Sequence, residues 1–462
     1  MEADNSEVDS QQQYEIDSAK LTQSGLQTFA LKVSAVGLAF LAHLLIANLL
    51  GKVGYGEYAF ALTTLNFLII AAVAGSDTAA TRFIADYHSD SKLLDQHRQW
   101  LNHRTLRISV CTAIAALILL QLVRWLNPRE IWLITQLIAI AIPLQAFSIV
   151  RQGILRGLRR PVLSLIPEGI FRPLFTIKFM IVAYLLVGVY ELDFSPVHAV
   201  GVYIFVSIFV FLAGQIFLRG ALPSKNTAAN PLHAEASVND ASSSWHSISS
   251  WHSISSWHSM AFASMFSAAA MTVHAQSDVW MLGVLTDADM VGPYSSAAKY
   301  AAFVVFGINA INTSLAPMIS QAKGDKQALQ HLASKGAKIS FWIGLPISTV
   351  FFFAPTFVLS FFGEGFSEAA FCLQVLAAAN LFNVCCGSVG ILLSMTGNHS
   401  TFMKLVITSV ILNVLLNGTF IPIWGSTGAA FATATSIIYW NVAALIVVRK
   451  KLGIRPAIFG IA

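Results

Sequence analysis

Glu168, Arg172 and Lys178 stand inside an otherwise apolar stretch at 163–190. A charged side chain in hydrocarbon costs roughly 2.5–3.5 kcal/mol on insertion scales, so those that persist face a wet cavity or a partner. Glu168 and Arg172 are spaced i, i+4 and can pair on one helix face, and Pro173 beside them loosens the backbone ladder. Lys178 has no acid at pairing distance along the same helix. Four more charges lie in or beside apolar stretches: Arg82 one turn after Asp77 and Thr78, Asp278 four residues after His274, and Lys299. The bases in this set, Arg82, Arg172, Lys178 and Lys299, outnumber the acids. Clustered in a water-filled cavity they would suit an anionic headgroup, above all a phosphate. Arg82 and Lys299 also stand where a long side chain can reach out to a membrane interface.

The elements that must position these residues follow from composition. The chain of 462 residues is 56% hydrophobic and 11% charged, against roughly 25% charged in a soluble domain. Apolar runs of about the twenty residues needed to cross a bilayer fall near 28–50, 58–81, 108–126, 131–150, 163–190 and 198–218. They resume near 259–284, 297–320, 337–361, 369–393, 402–423 and 428–448. The expectation is an all-α polytopic membrane protein of about twelve transmembrane helices; the third run, ending at Arg124 and Trp125, is the shortest. With both termini in the cytoplasm, 21 of the 28 Lys and Arg fall in inner segments and 3 in outer ones, as the positive-inside rule requires of an inner (plasma) membrane protein. No cleavable signal peptide is expected, because no apolar core precedes Leu26. The net charge of +5 is small and does not point to nucleic acid.

The chain also repeats. Leu50-Gly51, Gly56 and Tyr58-Ala59 resemble Leu282-Gly283, Gly292 and Tyr294-Ser295, and the two tyrosines are 236 apart; Gly153-Ile154-Leu155 recurs as Gly390-Ile391-Leu392 at an offset of 237. Two matches at nearly one offset indicate two six-helix halves of parallel topology. The expected organisation is a cytoplasmic tail at 1–24, an N-terminal bundle at 25–218, a cytoplasmic linker at 219–258, a C-terminal bundle at 259–450 and a tail at 451–462. The linker holds a Trp-His-Ser repeat at Trp245, Trp251 and Trp257. Histidines six apart on a helix point about 240° apart, so His246, His252 and His258 do not form a metal site, and a passive repeat or an interfacial helix is expected. Cys111, Cys372, Cys385 and Cys386 lie in apolar runs without metal or disulfide spacing. No nucleotide-binding loop and no catalytic motif is present, so neither cofactor nor enzymatic activity is expected.

Several motifs together resemble the polysaccharide-biosynthesis flippases of the multidrug/oligosaccharidyl-lipid/polysaccharide exporter superfamily, the type that moves O-antigen units. They are Leu50-Gly-Lys-Val-Gly-Tyr-Gly-Glu-Tyr-Ala59, Gly75 to Ala85, Ser277-Asp278-Val-Trp-Met-Leu-Gly283, and Gly292-Pro-Tyr-Ser-Ser-Ala-Ala-Lys299. Leu315-Ala-Pro317, Phe362-Gly-Glu-Gly-Phe366 and Ile421 to Thr433 follow in order. The resemblance runs from about 25 to 453, and the Trp-His-Ser repeat departs from it. It implies a V-shaped pair of bundles that open alternately to each side. It implies as cargo an oligosaccharide on polyprenyl diphosphate, flipped for lipopolysaccharide or exopolysaccharide synthesis. Arg82, Arg172, Lys178 and Lys299 would then meet the headgroup, while Asp77, Asp278 and Glu168 pair with cations or carry a coupling ion, H+ or Na+. Membrane lipids, a polymerase and glycosyltransferases are the implied partners. The alternatives are an ion-coupled multidrug exporter of the same superfamily, which would prefer acids in its cavity, and a non-transporting scaffold of a glycan-assembly complex. The peptidoglycan-precursor flippase branch typically has fourteen spans, and a major-facilitator transporter would carry a Gly-Asp-Arg-Gly-Arg loop that is absent from 82–107.

Overall fold

The computed structural model describes residues 2–86, 91–222 and 250–458, and these are helical apart from short turns, with no strand among them. The first part comprises α1 (Glu2–Val73), α2 (Ser76–Asp86), α3 (Ser91–Leu126), α4 (Glu130–Ala139), α5 (Ile142–Gly157), α6 (Pro161–Ile166), α7 (Arg172–Val189) and α8 (Pro196–Ala221). The second comprises α9 (Ser250–Leu285), α10 (Ala288–Val304), α11 (Phe306–Gln321), α12 (Lys326–Phe353), α13 (Pro355–Ser360), α14 (Ala370–Cys386), α15 (Val389–Met395) and α16 (His399–Leu452). Among the described residues, seven helices are long and apolar enough to cross a membrane, or nine when the bent pairs α4–α5 and α10–α11 each count as one span. The protein is a polytopic all-α membrane protein. Large apolar side chains such as Ile118, Leu185, Ile216 and Phe353 are exposed along these helices, as lipid allows and water does not.

Two of the longest helices are hairpins. Gly51 interrupts α1 with φ 68° and ψ −179°, a conformation open to glycine. Tyr55 Oη and His43 Nδ1 share a hydrogen bond of 3.3 Å across 12 residues; a straight helix would hold them about 18 Å apart. The chain therefore reverses at Gly51. Gly425 interrupts α16 with φ 56° and ψ −132°. Across it Asn413 Nδ2 donates to Ser436 Oγ at 3.1 Å, and Ser409 Oγ donates to the Ser436 carbonyl at 3.1 Å. The runs expected at 28–50, 402–423 and 428–448 are arms of these hairpins, whereas the run at 58–81 covers the second arm of α1 only to Val73 and then passes through the turn at Ala74 and Gly75 into α2. The short third run belongs to a 36-residue helix, α3.

The two parts of the chain meet at the end expected to be outer. Gly56 and Gly292 cross so closely that a methyl on Gly56 would overlap the Ala288 carbonyl, and one on Gly292 would overlap the Lys52 carbonyl. Lys52 and Ala288 are separated by the same 236 residues as the two glycines. The crossing is therefore self-matching under the offset that relates the repeated motifs. Around it, Tyr55 packs on Phe362 and Phe366 with ring centroids 6.0 and 5.8 Å away, and both phenylalanines are fully buried. Lys52 Nζ lies 2.6 Å from Glu368 Oε1, and Asn48 Nδ2 donates to the Phe361 carbonyl at 2.8 Å. Arg129 donates to the Val284 and Thr286 carbonyls at 2.9 and 2.7 Å, a cation satisfying the free carbonyls where α9 ends.

The expected tails and linker differ in detail. Residues 223–249 lie outside the described residues, and with them Trp245 and His246. From Ser250 the chain is already helical, and Trp257, expected in the cytoplasmic linker at 219–258, is 3% exposed. The segment after Leu452 is docked rather than loose. Gln330 Oε1 accepts from the Arg455 amide at 2.7 Å, the Ile458 amide donates to the Cys385 carbonyl at 3.1 Å, and Ile454 is buried.

Gly56→Ala and Gly292→Ala are each expected to lower the melting temperature in detergent, an overpacking cost of about 1–3 kcal/mol. Gly188→Ala, where a Cβ meets open space, is expected to leave it unchanged or slightly raised. Melting of Gly56→Ala with the wild type would contradict the close crossing.

Candidate functional site

The Glu168 region begins with a backbone irregularity. Between α6 and α7, Pro167–Phe171 form a π-helical turn, with the Arg172 amide donating to the Pro167 carbonyl five residues back. Pro167 and Pro173 lack amide hydrogens, which weakens the α-helical ladder on both sides, and single π turns recur at functional sites. On this turn Glu168 Oε2 accepts from Arg172 Nε at 2.6 Å, the pair that the i, i+4 spacing predicts. Glu168 Oε1 lies 3.6 Å from Arg151 Nη2, so one carboxylate is shared by two guanidinium groups. Arg172 Nη1 also donates to Ser207 Oγ at 2.9 Å and its guanidinium lies 5.3 Å from the Tyr203 ring. With its amide oxygen turned inward, Gln145 accepts from Arg172 at 2.9 and 3.0 Å and from Tyr203 Oη at 2.7 Å. Arg151 is 2% exposed, donates to the Phe211 carbonyl at 3.3 Å, and lies flat against Gly214.

Arg151 corrects the charge count. It is one of the 21 Lys and Arg counted in inner segments, and on α5 it is buried against α8. The signal was the run Gln145, Ser148, Arg151 at spacings of three, which puts polar groups along one side of α5. Lys178 lies elsewhere. It is exposed, in the stripe of Leu174, Ile181, Val182 and Leu185, with its ammonium 6.0 Å from the Phe179 ring. The structure does not bring it to Arg172.

A second polar centre lies in the later part of the chain. Asp278, 5% exposed, accepts from Tyr294 Oη at 2.6 Å and Thr433 Oγ1 at 3.1 Å through Oδ2, and from the Val279 amide at 2.8 Å through Oδ1. Next to it Ser277 Oγ donates to Asn413 Oδ1 at 2.6 Å, and Asn417 Nδ2 donates to the same oxygen at 2.9 Å. The hairpin of α16 supplies Asn413 and Asn417 from one arm and Thr433 and Ser436 from the other. Among the described residues no cation lies within ion-pair distance of Asp278. Lys299, on α10 with Tyr294, donates to Ser295 Oγ at 3.0 Å and lies 5.9 Å from the Tyr55 ring, at the junction with α1.

The remaining pair separates. Asp77 Oδ2 lies 3.5 Å from Arg156 Nη2 rather than meeting Arg82. Arg82 is exposed, and its Nη1 approaches Met260 Sδ at 3.7 Å. The seven expected residues thus fall into a Glu168–Arg172 cluster, an Asp278–Lys299 region, an Asp77–Arg82 rim at the opposite end, and the solitary Lys178. Among the described residues no group of three or more His, Cys, Asp or Glu could hold a metal ion.

The chain matches known proteins over this same architecture. Residues 21–323 match the family described as polysaccharide biosynthesis protein, and residues 263–419 match the MatE family. The structure is similar to an inward-facing multidrug resistance MATE family transporter of the MOP superfamily, with a TM-score of 0.69 at 14% identity, covering 93% of this chain and 98% of that one. It is equally similar to the lipid II flippase MurJ in an inward closed conformation, with a TM-score of 0.69 at 14% identity, covering 91% of this chain and 87% of that one. In sequence, 176 residues are 25% identical to the probable low-salt glycan biosynthesis flippase Agl15 of Haloferax volcanii, a match spanning 37% of this chain and 37% of that protein. The chain belongs to the polysaccharide biosynthesis protein family and has the fold of the MOP superfamily.

Removing one partner from a buried charge cluster costs about 3–5 kcal/mol, because it strands the others. Glu168→Gln, which leaves Arg151 and Arg172 facing each other, is expected to lower thermal stability more than Arg151→Met, which leaves the 2.6 Å Glu168–Arg172 pair intact. The reverse order in detergent melts would contradict the shared-carboxylate geometry.

Proposed function

We propose that this protein is a flippase that carries a polyprenyl-diphosphate-linked oligosaccharide across the plasma membrane by alternating access. The observation that carries the reading is the buried excess of positive charge: Arg151 and Arg172 share one carboxylate, and Lys299 has a hydroxyl rather than an acid as its hydrogen-bond partner. A diphosphate in a cleft of low dielectric needs such cations. Family membership supports a glycan-linked cargo, and the name of the Haloferax volcanii relative points the same way. Counting each glycine hairpin as two crossings takes nine spans to eleven, and α9 would be the twelfth. The N-terminal six and C-terminal six then form the two bundles, with both chain ends in the cytoplasm. Arg172 and Lys299 are assigned to the headgroup. Arg82 and Lys178 are assigned to the rim and the lipid-facing flank, where they would guide it. Polymerase and glycosyltransferases would act on either side of this step.

Asp278 is the best-placed group for a coupling ion, H+ or Na+, because its carboxylate is held by hydroxyls and an amide. The same observation favours the second reading, an ion-coupled multidrug exporter of the superfamily, which would move cations rather than a diphosphate.

The test is translocation of a fluorescent lipid-linked oligosaccharide in reconstituted vesicles. Losing one charge-assisted contact in each variant, Arg172→Gln and Lys299→Gln are expected to slow transport by about tenfold or more, with folding checked by melting. Asp278→Asn is expected to abolish the response to an imposed ion gradient. Unchanged transport in the Arg172→Gln, Lys299→Gln double variant would overturn the headgroup assignment. Export of a cationic dye with no lipid movement would establish the second reading.

A further inference from the structure

In the N-terminal half of α3, Trp100, His103, Arg104, Arg107 and Ile108 line an open cavity of about 450 Å³, within the roughly 300–1,000 Å³ of ligand sites. Their spacing of i, i+3, i+4, i+7 and i+8 places them on one helix face. No acid lines the cavity. The nearest acid along the same helix, Asp95, is taken by Arg98 at 3.2 Å. His103 and Arg107 are exposed. Arg104 is held in place: it donates to Ser76 Oγ, and its guanidinium lies 4.2 Å above the ring of Trp257. Trp257 also meets Trp100 edge-on at 4.8 Å. The last tryptophan of the Trp-His-Ser repeat, contributed by α9, is therefore the platform on which a cation of α3 is fixed.

From Arg107 the same face continues through Val110, Ile114 and Ile118, which are 37%, 53% and 67% exposed. A basic, aromatic-walled recess thus opens directly onto an exposed apolar stripe. That combination matches a molecule with an anionic head and a hydrocarbon chain. We propose that this recess binds the phosphate-bearing headgroup of a membrane lipid, with the chain lying along Val110, Ile114 and Ile118. Arg107 and the free edge of Arg104 take the phosphate, and Trp100 stacks on whatever the phosphate carries. The phosphate has two sources, a bulk anionic phospholipid or the prenyl diphosphate of the proposed cargo. Only the second rests on the proposed function, where the recess would be its first docking point before Arg172 and Lys299.

The experiment is native mass spectrometry or calorimetry on the full-length protein in detergent. The probes are farnesyl diphosphate, dihexanoyl phosphatidylglycerol, zwitterionic dihexanoyl phosphatidylcholine and inorganic diphosphate. Arg104→Gln, Arg107→Gln is expected to weaken an anionic amphiphile by about thirtyfold, the loss of two basic contacts, and to leave phosphatidylcholine unaffected. Arg107→Gln alone leaves the Arg104–Trp257 stack in place, guards against misfolding, and is expected to show about half that effect on a logarithmic scale. Preference for farnesyl diphosphate over phosphatidylglycerol identifies the cargo as the source; equal binding identifies bulk lipid, and both support the site. Wild-type affinity for all probes in the double variant, or equal affinity for inorganic diphosphate and its farnesyl ester, overturns it. Transport assays on the same preparation separate the two readings: intact transport with unaltered binding defeats only this site, whereas specific binding without any transport defeats only the proposed function.

Discussion

A guanidinium group inside a membrane protein must find partners there, and much of the first half is arranged to supply them. Arg172 and Arg151 converge on Glu168 from neighbouring helices. α8 offers Ser207, Tyr203 and the Phe211 carbonyl. The π turn at Pro167–Phe171 accommodates the carboxylate, at the cost of regular helical bonds that two prolines had already weakened. Three helical segments are thereby tied around one carboxylate. The two guanidinium groups leave this cluster with one positive charge more than its single carboxylate can neutralise.

The second half meets the same constraint with neutral groups. Asp278 is surrounded by hydroxyls and amides drawn from α9, α10 and both arms of the α16 hairpin. The hairpin matters because it brings Asn413 and Thr433 to the same place from its two helical arms. Between the halves, the Gly56–Gly292 crossing, the Tyr55–Phe362–Phe366 stack and the Lys52–Glu368 pair hold one end shut. At the other end Arg104, Trp100 and Trp257 make the contact. Alternating access would require these two sets to open in turn, and the buried apolar cluster that runs through both halves, from Tyr55 and Phe60 to Leu282, Tyr294 and Phe366, would have to part with them.

Much of this was legible in the sequence. Apolar runs of the right length mark an all-α membrane protein, of which seven to nine spans stand among the described residues. The 236-residue offset marks the self-matching glycine crossing, because only glycine lets the two backbones approach so closely at both copies. The Glu168–Arg172 pair follows from i, i+4 spacing. What could not be read is three-dimensional. Arg151 sits at the edge of an apolar run, and its burial depends on Gly214 of a helix far along the chain. Lys178 is six residues from Arg172, and rotation about the helix turns it to another face. Asp77 pairs with Arg156 rather than Arg82 because α5 packs against α2. Trp257 lies in a repeat that looks passive, yet its position beneath Arg104 depends on how α9 meets α3.

If Arg172 and Lys299 receive an anionic headgroup, transport depends on the charge of the cargo, which can be varied while the protein is left unchanged. In vesicles reconstituted with the wild-type chain, leaflet exchange is followed for two labelled lipids with the same glycan and prenyl chain, one joined through diphosphate and one through an uncharged ether. The diphosphate form is expected to cross at least about tenfold faster, the equivalent of one or more charge-assisted contacts. Equal rates for the two lipids, or faster movement of the uncharged one, would contradict it.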